Sequence, residues 1–146
     1  MNAAGCMYCE QGEALKKITL KVVDLSASTL YLLKDQSFRG RCVLALKAHR
    51  KEVFELCEAE REAFFRDLAA SAQTMYRLFH PDKLNYGVFG DLVPHFHLHL
   101  VPKYSDGPLW GRPYCEAKVE PRFLPEEELS DLAERIRHAL PEGGRI

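Results

Sequence analysis

His95-Phe96-His97-Leu98-His99, running on into Leu100-Val101-Pro102-Lys103, is the stretch on which the fold turns. Side chains on a strand alternate between its faces, so His95, His97 and His99 would project to one side. Phe96, Leu98 and Leu100 would project to the other and can pack on a helix. Three of the six histidines of the chain fall within these five positions. A solvated face that happens to carry histidine is the bland reading. The chemical readings are a metal triad, since His-x-His on a strand is a common ligand arrangement, and a nucleophile with helpers. Spacing alone does not separate the last two.

Working outward, Leu84 to Phe89 reads as a further strand, and Gly90-Asp91-Leu92-Val93-Pro94 joins it to a strand from His95 to Pro102 by a short, hairpin-like loop. Upstream, Phe64, Leu68, Ala72, Met75 and Phe79 recur every three or four residues, which predicts a long helix over Glu58 to Phe79, ended by Pro81. Asp67, Gln73 and Arg77 lie between the apolar positions and are expected to face water. Ile18 to Val23, Thr29 to Leu33 and Cys42 to Leu46 predict three strands in an antiparallel meander, with Gly40 at a turn. Pro125-Glu126-Glu127 opens a C-terminal helix buried through Leu129, Leu132, Ile136 and Leu140 and ended by Pro141. Gly107 to Pro121 has no usable pattern. The fold class is α+β: an antiparallel sheet of about five strands, one long helix and one C-terminal helix.

The 146 residues fit one domain, residues 1–146, with one core. Apolar residues at 47%, charged residues at 28% and a net charge of −1 describe a globular chain with no broad basic surface, so a nucleic-acid polymer is not an expected partner. A small anion can still be held by a few local donors. No apolar run approaches the roughly 18 residues of a membrane span, and Met1 to Cys9 lacks a signal-peptide pattern, so a cytoplasmic location is expected. Five cysteines, an odd number, argue against a paired framework. Cys6 and Cys9 form a Cys-x-x-Cys, which in a reducing compartment more often binds metal or does redox chemistry. Cys42, Cys57 and Cys115 are expected to be small buried residues.

The segment from Asn85 to Lys103, Asn-Tyr-Gly-Val-Phe-Gly-Asp-Leu-Val-Pro-His-Phe-His-Leu-His-Leu-Val-Pro-Lys, resembles the histidine-triad (HIT) signature. That signature has an Asn on a strand, a Gly-containing loop, and alternating histidine and apolar residues. Leu46-Lys47-Ala48-His49 and the following Phe54-Glu55-Leu56 resemble the family's second recurrent segment. The resemblance runs from Cys6 to about Trp110. It implies a HIT-like fold, a homodimer made by edge-to-edge pairing of sheets, and a purine nucleotide substrate. It further implies attack by the middle histidine, His97, on the α-phosphorus of a phosphoramidate or dinucleoside polyphosphate, followed by release of the nucleotide to water. Neutral imidazole suits that role near pH 7. His99 matches the third histidine, a donor to phosphate oxygen, and Asn85 matches the family's phosphate- or loop-orienting Asn. Nucleotidyl transfer or phosphorolysis, a nucleotide-binding regulatory module with little turnover, and a metal-centred hydrolase remain as alternatives.

In the branch of the family with an N-terminal Cys-x-x-Cys, two thiolates join two histidines around a structural zinc. The matching residues are Cys6, Cys9, His49 and His95, a closed Cys2His2 set. His95 thereby leaves the chemistry. Three positions depart from the family pattern. Asp91 stands where Gln or Ser is usual, and an ionised carboxylate there repels phosphate unless it is protonated, turned to a backbone donor, or activating an acceptor. Arg41 stands where another histidine is common and can bind phosphate bidentately. The ribose-gripping acid has no direct match; Leu33 aligns with it and Asp35 lies two residues on. His80 and His138, at helix C-terminal ends, are assigned no catalytic role.

Overall fold

Five stretches rich in leucine, valine and tyrosine pair into one antiparallel sheet in the computed structural model, which describes residues 3–142. The strands are β1 (Thr19–Asp24), β2 (Ser28–Leu33), β3 (Cys42–Leu46), β4 (Lys83–Val88) and β5 (His97–Lys103), in the order β1-β2-β3-β5-β4. The helices are α1 (Met7–Glu10), α2 (Glu13–Ile18), α3 (Glu58–Phe79) and α4 (Glu126–Ala139). β3 is central and buried along its whole length, as its unbroken apolar run Cys42-Val43-Leu44-Ala45-Leu46 requires.

The sheet has two covered faces of different character. Leu30, Leu32, Leu44, Leu46, Leu98 and Leu100 point to one side and pack with Phe64, Met75 and Phe79 of α3 and Leu129, Leu132 and Ile136 of α4. This is the main core, and the expected apolar stripes of both helices are buried. On the opposite side stand Tyr31, Val43, Ala45 and the triad histidines. One end of that side is covered by Tyr8 and Leu15 from α1 and α2. The other end is covered by a strap over residues 104–123, through Tyr114 packed on Phe38 and Val101. Gly40, at φ +86°, turns the chain into β3 against the Phe79 ring, where a Cβ would clash at 2.6 Å.

Four expectations change. The short N-terminal helices α1 and α2 have no counterpart in the sequence reading, because four- and six-residue helices carry too little periodicity to register. The histidine strand begins at His97, not His95: ahead of it, the Phe96 N–H donates to the Arg50 carbonyl at 2.6 Å, which ties the segment to the loop after β3. Asp67 does not face water. It is buried, and its carboxylate accepts from the Ser26 N–H (3.3 Å) and hydroxyl (2.7 Å), the Ala27 N–H (2.9 Å) and the Ser28 hydroxyl (2.7 Å), so it organises the β1–β2 turn. Of the three lone cysteines only Cys42 is buried; Cys57 and Cys115 are exposed. No helix among the described residues is long and apolar enough to cross a membrane.

Candidate active site and metal centre

β5 sets the site because it delivers His97 and His99 to the same face, beside Ala45 and Val43 of β3. His97 is buried, and its Nδ1–H donates to the His95 carbonyl at 2.6 Å. A carbonyl only accepts, so this contact fixes the tautomer and leaves the Nε2 lone pair of His97 free. Burial pushes the His97 pKa down, opposed by that hydrogen bond. The ring packs at a tilt 4.9 Å from Tyr8 and meets His99 edge-on at 5.3 Å.

His99 is half-buried, and its Nδ1 faces Arg41 Nη2 at 3.5 Å. A guanidinium only donates, so the proton of His99 sits on Nε2, which is left as a donor. Burial first, then the Arg41 and His97 charges, holds the His99 pKa down to about 4. The Arg41 guanidinium lies 5.2 Å over the Tyr114 ring, and its Nε is buried without a hydrogen-bond partner. Tyr114 also approaches His99 at 6.1 Å and Phe89 at 6.3 Å. Gly87, paired with His99, leaves room for it: a Cβ there would stand 2.6 Å from the Tyr114 hydroxyl.

The four sulfur- and nitrogen-bearing residues expected to hold a metal do converge. Cys6 Sγ, Cys9 Sγ, His49 Nδ1 and His95 Nδ1 lie within 4.8 Å of one another, so the group can bind a metal ion. The His95 Nε2–H donates to the Leu46 carbonyl at 2.7 Å, which frees Nδ1 as the ligand and orients the ring. The loop that carries His49 is drawn to His95 by the hydrogen bonds of Phe96 with Leu46 and Arg50. His95 therefore divides from His97 in role, although two residues separate them.

The other expected residues scatter. Asn85 is half-buried on β4, on the His99 face, and lines a cleft of about 640 Å³ with Gly87, Phe89, Lys103, Trp110 and Tyr114. Asp35 lines a smaller hollow of about 180 Å³ with Arg41, Phe38 and Tyr114, but its Oδ1 accepts from the Ser37 and Arg122 N–H groups, each at 3.0 Å. It anchors the strap. Asp91 is exposed and lines a separate hollow with Lys51, Phe89 and Pro94 that includes none of the triad histidines. Tyr8, Lys103, Trp110 and Tyr114 were not anticipated. Tyr8 had a faint signal, an aromatic inside the Cys-x-x-Cys; the others lie in or under a segment without periodicity. Lys103 is buried and donates to the Leu109 (2.5 Å) and Arg112 (2.8 Å) carbonyls, so it staples the strap to β5.

Sheet order, helix placement and a histidine face of this kind define the histidine-triad class, and comparison with solved structures agrees: the chain has the HIT-family fold. It is similar to a histidine triad protein from Bradyrhizobium japonicum, at TM-score 0.80 and 21% identity, over 89% of this chain and 96% of that one. It is also similar to a histidine triad (HIT) protein from Sinorhizobium meliloti, at TM-score 0.77 and 27% identity, over 88% and 95% of the two chains. More distant are a zinc-bound histidine triad family protein from Mycobacterium smegmatis (TM-score 0.63, 17% identity, 92% of each chain) and the diadenosine triphosphate hydrolase of Plasmodium falciparum (TM-score 0.63, 15% identity, 81% and 74%). No family model and no curated protein matches the chain.

Proposed function

We propose that this chain is a single-domain nucleotide hydrolase that cleaves at the α-phosphate through a nucleotidyl-His97 intermediate. The observation that carries the proposal is the 2.6 Å Nδ1–H···O=C bond from His97 to His95, which aims an unprotonated Nε2 at the histidine face. In the first step the Nε2 lone pair forms a bond to the α-phosphorus, and the bond from phosphorus to the leaving group breaks with its electron pair. His97 keeps its Nδ1 proton and becomes a cationic nucleotidyl-imidazole, stabilised by the carbonyl it already donates to. In the second step a water oxygen attacks the phosphorus, the P–N bond returns its pair to Nε2, and the water protons pass to solvent. The Nε2–H of His99 and the guanidinium of Arg41 supply donors for the phosphate oxygens. Asn85 lies on the same face as a candidate orienting donor. Similarity to a diadenosine triphosphate hydrolase supports this reaction class.

The Cys6, Cys9, His49 and His95 group fits zinc. Ligands at Zn–S near 2.3 Å and Zn–N near 2.05 Å stand roughly 3.3–3.8 Å apart around a tetrahedron. Here His49 Nδ1 to His95 Nδ1 is 3.2 Å, Cys6 Sγ to His95 Nδ1 is 3.3 Å and Cys9 Sγ to His49 Nδ1 is 3.3 Å. A closed four-ligand ion would be structural, tying the N-terminus to the start of β5. Free thiols throughout the described chain suit a reducing, cytoplasmic setting. A homodimer made along β4, one of the two edge strands of the sheet and the one with Tyr86 and Val88 half-exposed, fits the same reading. The test is incubation with labelled adenosine and guanosine phosphoramidates and dinucleotides, quenched without acid. Label on His97, lost in His97→Ala, is the expected result; no label and no turnover with any of them would overturn the proposal.

A further inference from the structure

The reaction proposed above places a positive charge on the His97 ring, and few groups are there to meet it. No carboxylate among the described residues acts on the ring: burial, which disfavours the charged form, is opposed by the His95 carbonyl alone. A buried cation with one neutral partner is costly.

What lies against the ring is Tyr8. The centroids are 4.9 Å apart and the planes 37° from parallel, too close for rings meeting rim to rim, so the faces overlap at a tilt. Both side chains are nearly out of water, Tyr8 at 8% exposed and His97 at 6%. A face contact leaves the in-plane Nε2 lone pair open and sets the tyrosine π cloud against the ring over which the charge will spread. The separation is inside the roughly 6 Å over which a cation is drawn to an aromatic face, and exclusion of water strengthens that attraction.

Tyr8 is held in place from two directions. Cys6 and Cys9, on either side of it in the sequence, converge on His49 and His95, while its ring packs with Tyr31, Val43 and Ala45. Ala45 is paired with His97 across β3 and β5, and its small side chain leaves the space over the nucleophile to the tyrosine. The hydroxyl is not the working part. Burial first, then Tyr31 and Cys6, push its pKa well up against the opposing charge of Arg41, so the phenol keeps its proton at neutral pH.

We propose that Tyr8 is a catalytic partner of His97: its π face stabilises the imidazolium charge that develops as Nε2 attacks, a cation–π contact absent from the resting, neutral ring. The proposal rests on the nucleotidyl-His97 reading and adds a residue to it. In the first step the charge appears as the Nε2–P bond forms and the leaving group departs with its electron pair. In the second it vanishes when the P–N pair returns to Nε2. Tyr8 therefore speeds formation of the intermediate and does not speed its breakdown.

The test uses the full, metal-loaded chain with Tyr8 replaced by Leu, by Phe, and by phenylalanine carrying one, two or three ring fluorines, which drain the π face at nearly constant size. In the first arm, single-turnover reaction with labelled adenosine phosphoramidate gives the rate at which His97 gains label and then the rate at which it loses it. Tyr8→Phe should gain label within about twofold of the parent rate, and Tyr8→Leu about tenfold more slowly, the scale of one buried cation–π contact. The fluorine series should fall stepwise between them, with no slowing of label loss. A labelling rate flat along the series, or gain and loss slowed equally along it, overturns the proposal. The second arm omits nucleotide and uses diethyl pyrocarbonate, which neutral imidazole attacks with the same lone pair; mass spectrometry reads modification of His97. The same stepwise fall is expected. A stepwise fall here, with no nucleotide label on the parent protein, would leave the role of Tyr8 standing and remove the hydrolase reading. Label on the parent with both arms flat along the series would do the reverse.

Discussion

Replacing Arg41 by Met should raise the pKa of His99 and, with it, the pH at which the stability that His99 contributes is fully lost. The guanidinium stands 3.5 Å from His99 Nδ1. At that separation two charges interact by about 1–5 kcal/mol as the effective dielectric falls from 80 to 20, which on its face could move a pKa by up to three units or so. The whole displacement of His99, from 6.5 to about 4, sets a tighter bound. Burial is the largest cause and Arg41 the second, so Arg41 accounts for less than half. Its removal should move His99 up by about one pH unit, toward 5. Met keeps the apolar bulk over Tyr114, which limits any loss of packing. For the sign, the folded protein keeps His99 neutral while the unfolded chain protonates it between pH 6.5 and 4. The stability His99 contributes is thus complete above 6.5, declines as pH falls through that window, and is gone below 4. In Arg41→Met the lower bound of the window moves up and its total amplitude shrinks. Histidine-labelled NMR titration reads the pKa, and urea unfolding at a series of pH values reads the linkage. A His99 that titrates near 6.5 in the parent protein, or at the same pH in both proteins, would refute the placement of Arg41.

Other outcomes follow from the same geometry. Cys9→Ser and His49→Ala should each release bound metal and lower the melting temperature, whereas His97→Ala should retain metal at full stoichiometry; elemental analysis separates this from a site built on all three triad histidines. Asp67→Ala leaves the Ala27 N–H and the Ser28 hydroxyl without their buried acceptor, which should cost about 2–4 kcal/mol in urea unfolding and leave the catalytic constants nearly unchanged. Gly87→Ala would drive a methyl group into the Tyr114 hydroxyl at 2.6 Å, so Tyr114 must shift off His99 and kcat/KM should drop with little loss of overall stability. Lys103→Met removes the two carbonyl contacts that staple the strap, and limited proteolysis should then cut within residues 104–123 faster than in the parent.

Elements with a strong period were legible without a structure. The stripe Phe64, Leu68, Ala72, Met75, Phe79 is buried as its spacing requires, and the unbroken run Cys42 to Leu46 is the central strand. Asp67 shows the limit of the same argument. A charged residue next to an apolar stripe faces water unless the fold brings it donors, and those donors come from a turn forty residues earlier. Asp35 fails in a similar way: it stands near the expected ribose position, yet a strap backbone eighty-seven residues on takes up one of its oxygens.

The sequence alone determined the alternation of His95, His97 and His99 and the apolar positions behind them, because strand and helix periods are local properties of the chain. Resemblance to a known signature added the roles. Only tertiary structure decided that His95 turns its Nδ1 to two cysteines and His49 while its own carbonyl fixes the tautomer of His97. Only tertiary structure laid Tyr114, Trp110 and Arg112 over β4, as the wall of a cleft. Tautomers, cavities and counter-charges depend on which distant atoms come within about 3 Å, and no period in the chain encodes that.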